Sequence, residues 1–287
     1  MTITTWLPTD QDVAFYREHG WFVAPQVFAD DEIDAATEAA WRFYERPDRR
    51  LDHSTGFSNW TPADGYDTVR NNEFVSLQHD ALRAVAWSER IGVIAARLAG
   101  TDEIRLLDDQ LVYKPPSMPA SEVGWHADHA YWGTCSSNNL ITAWVPFHDV
   151  DEDRATLVVV DGSHRWGGIE HSRYFNDPDL QAYSARWGSE RGGITEVPLR
   201  LRKGQVSFHH CWTLHASYAN RSDRYRLAMA VHLQDGANTY CEAFRADGRP
   251  VQIFDEALCR RLPDGRPDFA DPDVFPALWP PNERSYP

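Results

Sequence analysis

The sequence has almost no lysine. Only Lys114 and Lys203 stand beside the arginines, and no cluster of arginine takes their place. With a net charge of −15 the chain has no basic face for a nucleic-acid backbone or an anionic membrane, so neither partner is expected. Cysteine is scarce and scattered. Cys135, Cys211, Cys241 and Cys259 form no CxxC pair, which excludes a zinc ribbon and a small disulfide scaffold and points to a reduced, cytoplasmic location. No apolar run approaches the roughly 20 residues of a membrane span, and Met1 to Pro8 shows neither the basic nor the apolar part of a secretory leader. With 42% hydrophobic residues and 12 tryptophans the chain can bury a sizeable core, and disorder is excluded. No repeat, low-complexity tract or linker divides it. A single domain over residues 1–287 is expected.

The first part, about residues 9–100, reads helical. Asp10 to His19 runs to Gly20, a plausible helix-ending glycine. Asp31 to Arg46 places Ile33, Ala36, Ala40 and Phe43 at helical spacing. Ser88 can cap a helix from Glu89 to Leu98 that closes at Gly100. Between these lies Leu51 to Asn72, a long loop carrying Phe57, Trp60 and Tyr66. Long loops in compact domains often serve as lids, so this one is expected to wall a binding pocket, with Trp60 and Phe57 as substrate contacts.

From residue 104 to about 235 the texture turns to β. Short runs at Ile104–Leu107, Gln110–Tyr113, Gly124–Asp128, Leu140–Val145, Thr156–Val160, Glu196–Arg202, Gln205–His209 and Arg226–Gln234 are separated by Gly, Pro, Asn or Asp. Strand runs without alternating helices predict a sandwich, jelly roll or barrel. Arg165 to Gly193 reads as a polar, aromatic insertion, and residues 236–287 as a C-terminal extension.

Within this β region His126 and Asp128 are two residues apart, so on a strand both side chains leave the same face. An imidazole and a carboxylate placed this way can share one metal ion. The triplet is weak by itself, since about one His-x-Asp is expected by chance among so many His and Asp residues. A facial metal site needs a second histidine and open positions opposite, and His215, in Trp212-Thr213-Leu214-His215, is the best placed. Arg226 opens a strong strand eleven residues later, where a guanidinium can pair bidentately with a carboxylate. Ser217 shares the face of His215 and can donate to the same carboxylate. On residues alone, the three ligands could equally be a structural hydrogen-bonded cluster.

Trp125-His126-Ala127-Asp128 followed by His215, with serine two and arginine eleven residues after that histidine, resembles the phytanoyl-CoA dioxygenase family, which includes ectoine hydroxylase. Tyr113-Lys114-Pro115 upstream, Leu140-Ile141-Thr142-Ala143-Trp144 downstream and Gly162-Ser163-His164 extend the likeness over roughly residues 13–235. The insertion and the tail match no known pattern. The resemblance implies a mainly β protein with flanking helices: a double-stranded β-helix (jelly roll, cupin-like) core with N-terminal helices outside. It implies Fe(II) held by His126, Asp128 and His215 as the catalytic centre. It implies 2-oxoglutarate chelating the iron, its far carboxylate on Arg226 and Ser217, with Trp144, Lys114 and Thr142 lining the cosubstrate site. It implies O₂ as the co-reactant, with release of succinate and CO₂. Trp132 falls where ectoine hydroxylase-like enzymes place an aromatic at the substrate mouth.

The expected activity is oxidation of an unactivated C–H, normally hydroxylation, of a small molecule such as a secondary metabolite. Cyclisation, epimerisation and desaturation are alternative outcomes of the same chemistry. A carboxylate at Asp128 speaks against halogenation, because related halogenases have a small residue there. Two rivals of other classes are a cupin-like metal-dependent hydrolase or isomerase and a non-catalytic jelly-roll binding module. The first needs no Arg226–Ser217 clamp, and the second no intact triad. The remaining histidines, among them His129, His148, His209, His210 and His232, read as ordinary core or surface groups. The sequence is silent on oligomeric state.

Overall fold

The computed structural model describes residues 6–45, 59–169, 172–177, 179–245 and 247–281. Phe57 and the start of the long loop lie outside the described residues. Helix α1, Asp10–His19, begins at a capping box in which the Asp12 amide donates to Thr9 Oγ1 and the Thr9 amide to Asp12 Oδ2. It stops at Gly20, whose left-handed φ of 80° suits glycine, and where a Cβ would strike His164. Helix α2, Asp30–Glu45, turns Ile33, Ala36, Ala40 and Phe43 inward. Helices α3, Asp80–Ala86, and α4, Glu89–Ala99, complete the N-terminal layer.

Two antiparallel sheets form the jelly roll. The large sheet contains β1 (Trp21–Ala24), β2 (Arg70–Glu73), β3 (Ile104–Lys114), β5 (Ile141–Pro146), β8 (Val206–His210), β10 (Arg226–Asp235) and β11 (Ala277–Trp279). Its order is β1-β8-β5-β10-β3-β11, with β2 also on β3. The small sheet runs β4 (Val123–His126), β9 (His215–Ser217), β6 (Leu157–Val160), β7 (Glu196–Pro198). One face of the large sheet, with Leu111, Ala143, Val145, Phe208, Met229 and Val231, packs under the helices in the main core. Helix α5, Leu180–Arg191, lies in the expected insertion and sets Trp187 edge-on against Trp125 behind β4.

Three features depart from the sequence reading. The helical part contains two strands: β1 follows Gly20 directly and β2 returns the long loop onto β3. The runs at 104–107 and 110–113 form one strand, because Asp108 and Asp109 are buried rather than punctuating a turn. A bulge opposite His232 and Leu233 shifts the register within β3. As a result Ile104, Leu106 and Leu111 face the helices while Asp108, Gln110 and Val112 face the space between the sheets. Asp109 on the helix side accepts from the Ser76 amide and hydroxyl.

The C-terminal extension is part of the fold. Strand β11 pairs with β3, and Phe269 and Phe275 pack with Phe74, Leu107 and Trp132 in a second core. Phe275 is fully buried. Phe275→Ala is therefore expected to cost about 3–5 kcal/mol of stability, as for other large core truncations. A urea midpoint unchanged from wild type would show that the tail is only draped on the surface.

Candidate metal and cosubstrate site

His126 and His215 face each other as direct antiparallel partners of β4 and β9. Strand β4 ends at His126, and Asp128 opens a short 3-10 turn. Ala127 keeps extended dihedrals (φ −115°, ψ 131°), so Asp128 still emerges on the side of His126. Asp128 Oδ1 lies 3.7 Å from His126 Nε2 and 3.5 Å from His215 Nε2. The three ligating atoms are within 4.8 Å of one another, and all three side chains are buried.

The protons can be placed from the acceptors. His126 Nδ1 lies 2.8 Å from the Gly124 carbonyl and His215 Nδ1 3.0 Å from the Thr213 carbonyl. A carbonyl only accepts, so both Nδ1 atoms donate. Burial holds both imidazoles below their ordinary pKa, His215 strongly so, and the neutral rings present Nε2 lone pairs toward Asp128. Burial alone would raise the Asp128 carboxyl; the facing His215, then His209 and His232, outweigh it and hold it well below the usual range. Two imidazole nitrogens and a carboxylate oxygen therefore converge on one point, where a cation can sit among them. This donor set, two imidazoles and one carboxylate, fits a divalent iron with open positions.

The other carboxylate oxygen is tied down. Thr142 donates to Asp128 Oδ2 at 2.6 Å and itself accepts from His232 Nδ1 at 2.9 Å. His209 Nε2 donates to the same Oδ2 at 3.1 Å. Register makes this possible: Thr142 is the cross-strand partner of both His209 and His232. Thr142, which lines the cavity as expected, thus also holds Asp128, and His209 and His232 are ligand supports that the sequence reading missed. Thr142→Val is expected to lower iron affinity on the order of 10–100-fold with the fold intact. Unchanged affinity in a competition with a chelator would remove Thr142 from this role.

On the next strand positions lies a cationic corner. Arg226 is 2% exposed, donates from Nη1 to the Val112 carbonyl at 3.1 Å and leaves Nε without a partner. No carboxylate of the described residues lies within ion-pair distance of it. Burial draws its pKa down to about 10, so it stays charged at neutral pH. Its guanidinium lies 5.9 Å from the Trp144 ring. Lys114, cross-strand to Arg226, donates to Ser217 Oγ at 2.6 Å and to the Tyr218 carbonyl at 2.7 Å. Lys114 therefore braces Ser217 rather than lining the cavity, and Ser217 keeps its own proton to donate. A buried guanidinium without a carboxylate partner among the described residues, lining the same cavity as the Ser217 hydroxyl, is a place for a carboxylate ligand.

Both sites open into one cavity of about 1120 Å³ between the sheets. Trp132 lines it and meets the His232 ring edge-on at 5.0 Å. Trp60 does not line it. Its indole is buried against Tyr44 of α2, donates to the Gly65 carbonyl and sits under Arg70, so it anchors the loop to the helices; Val69 and Asn71 are the loop's contributions to the cavity. The insertion and tail supply walls that no motif announces. Arg173 and Phe175 come from the insertion, with Phe175 against the His126 ring at 5.1 Å. Phe244 and residues 251–255 come from the tail. The insertion runs against β4 so closely that a Cβ on Gly124 would strike the Tyr174 carbonyl.

Residues 16–228 match the family model described as phytanoyl-CoA dioxygenase. The chain belongs to that family. Among curated members it is 26% identical over 151 residues to the peroxisomal phytanoyl-CoA dioxygenase of Bos taurus, covering 48% of this chain and 42% of that protein. It is 28% identical over 155 residues to a probable alpha-ketoglutarate-dependent hypophosphite dioxygenase of Stutzerimonas stutzeri, covering 54% and 53%. This family member spans about half the length of those two relatives. Solved structures align over more of it. The non-heme alpha-ketoglutarate-dependent carbocyclase SnoK from nogalamycin biosynthesis superposes with a TM-score of 0.70 at 27% identity, covering 94% of this chain and 96% of that one. The epimerase SnoN from the same biosynthesis gives 0.66 at 25%, covering 94% and 98%. EctD from S. alaskensis, at 20% identity and a TM-score of 0.69 over 86% and 83%, shares the fold. No described helix is long and apolar enough to cross a membrane.

Proposed function

We propose that this protein is a non-haem Fe(II)- and 2-oxoglutarate-dependent oxygenase that hydroxylates an unactivated C–H bond of a small molecule, a secondary metabolite. The observation that carries the reading is the pairing, in one cavity, of a converging His–Asp–His face with a buried guanidinium that has no carboxylate partner among the described residues. His126, Asp128 and His215 would hold the iron. Arg226 and Ser217 would hold the distal carboxylate of 2-oxoglutarate, with Trp144 beside them. Iron and cosubstrate together would supply an oxidant from O₂ as 2-oxoglutarate is converted to succinate and CO₂.

The chain's own residues do the rest. Thr142, His209 and His232 fix the Asp128 carboxylate so that one oxygen points toward the imidazoles. Lys114 fixes Ser217. Trp132, Phe175 and Phe74 give the cavity apolar walls that displace water around a bound substrate. A hydrolase or isomerase on the same barrel has no use for an unpaired Arg226, and a binding module has no use for three converging lone pairs.

The test is anaerobic addition of Fe(II) and 2-oxoglutarate to the iron-free protein. A visible charge-transfer band requiring both additions is expected, and its absence overturns the reading. A second outcome, cyclisation or epimerisation, is favoured by the described carbocyclase and epimerase, which align over 94% of this chain. Product mass separates the readings: one oxygen gained for hydroxylation, two hydrogens lost for cyclisation, no change for epimerisation.

A further inference from the structure

The cavity has a second polar end. Glu73 on β2, Asp108 on β3 and Asp255 in the turn Phe254–Ala257 all line it, and each is more than nine-tenths buried. Register fixes their neighbourhood. Asp108 is the cross-strand partner of His232, and Glu73 of Gln110. Asp108 stands six positions along β3 from Lys114, the partner of Arg226, or roughly 20 Å at the usual strand rise. Arg226 and these carboxylates therefore occupy opposite ends of the same inner face.

Other buried carboxylates here are well supplied with donors. Asp109 takes the Ser76 amide and hydroxyl, and Glu256 takes Thr134 Oγ1 and the Ile253 amide. Asp108 is different. Its Oδ2 receives a single bond from Gln110 Nε2 at 3.3 Å, and its Oδ1 has no partner. Asp255 Oδ1 also has none. No lysine or arginine among the described residues lies within ion-pair distance of either. Burial, then Glu73 and Asp255, push the Asp108 carboxyl well above its ordinary value, and burial pushes Asp255 up to about 7. Such a cluster is costly to keep unless something compensates it.

We propose, resting on the oxygenase reading of the site, that Glu73, Asp108 and Asp255 form a recognition subsite for a protonated amine on an otherwise apolar substrate. This end offers an anionic cosubstrate no counter-charge whereas Arg226 does, so the carboxylates serve a different ligand. A bare metal ion fits poorly, because the only described group whose ligand atoms converge within 4.8 Å is the His–Asp–His face. An ammonium group has several donors to spread over separated oxygens. Around the cluster stand Phe74, Trp132, Ile253 and Phe254, which suit an apolar or aromatic body attached to the amine and allow its charge to face an aromatic ring.

The experiment uses the iron-free wild-type protein and three matched probes: 4-phenylbutylamine, 4-phenylbutan-1-ol and 4-phenylbutyrate. Binding is followed by calorimetry at neutral pH. The amine is expected to bind at least about tenfold more tightly than the alcohol, as a charge-assisted pair would give, and the acid, drawn to Arg226 instead, to bind wild type and the carboxylate variants alike. The Asp108→Asn/Asp255→Asn double variant should bind amine and alcohol alike. Asparagine is near-isosteric and removes mutual repulsion, so folding should survive; Glu73→Gln is the second variant and should reduce the same preference. Equal binding of amine and alcohol by wild type, or a preference that persists in the double variant, overturns the subsite. The Fe(II)/2-oxoglutarate band, measured separately on wild type, separates the two readings. With the band present and no amine preference, the subsite alone fails. Without the band, the oxygenase reading fails.

Discussion

His126→Ala or His215→Ala is expected to leave a folded protein that no longer retains iron through gel filtration and no longer turns over 2-oxoglutarate. Each imidazole supplies one of only three converging donors, and its ring is held by a single local bond from Nδ1 to a carbonyl two residues back in sequence. Removing the ring therefore removes a ligand without dismantling a sheet. The unfolding midpoint should therefore fall by no more than truncation of a cavity-lining side chain causes. Metal analysis and near-ultraviolet circular dichroism on the same samples check both halves. Stoichiometric iron with wild-type turnover in either variant would disprove the assigned ligands.

Arg226→Ala should weaken 2-oxoglutarate by about 2–5 kcal/mol, roughly 30-fold to several-thousand-fold, as for truncation of one partner in a buried charge pair. Iron binding should be nearly unaffected, because the guanidinium makes no bond to His126, Asp128 or His215; its protein bond is to the Val112 carbonyl. Arg226→Lys should restore only part of the loss, since one ammonium cannot present a planar two-pronged donor. Anaerobic titration of the visible band with 2-oxoglutarate measures all three proteins. An unchanged midpoint in Arg226→Ala would end the cosubstrate assignment even if iron remained bound.

The parts of the site that sequence exposes are those whose spacing carries meaning. His126 and Asp128 share a face because two residues make one strand repeat, and Ser217 and Arg226 stand at fixed steps after His215. The helices α1, α2 and α4 are legible from capping residues and apolar spacing. His209 and His232 are hidden, since neither stands at a spacing that ties it to the triad; only the lateral register across β8, β5 and β10 brings them to Asp128. Asp108 is hidden for another reason. The bulge in β3 reverses the alternation that would otherwise assign its face, and Asp108-Asp109 looks like a turn. Trp60 misleads because an aromatic in a long loop suits a lid and an anchor equally, and the anchor wins once Tyr44 offers it a surface. Strand β11 has three residues and no pattern of its own; it exists because β3 has an open edge.

The order in which the walls occur along the chain has a consequence for how the protein is made. A ribosome delivers the metal ligands and Arg226 before it delivers Phe269, Phe275 and β11. At roughly 5–20 residues per second, the interval between the end of β10 and Phe275 lasts roughly 2–8 s. During it Phe74, Leu107 and Trp132 lack the aromatic partners that cover them in the finished protein. The nascent chain is then a nearly complete barrel with an apolar breach, and its yield in a cell depends on how quickly translation closes that breach compared with how often two such chains meet.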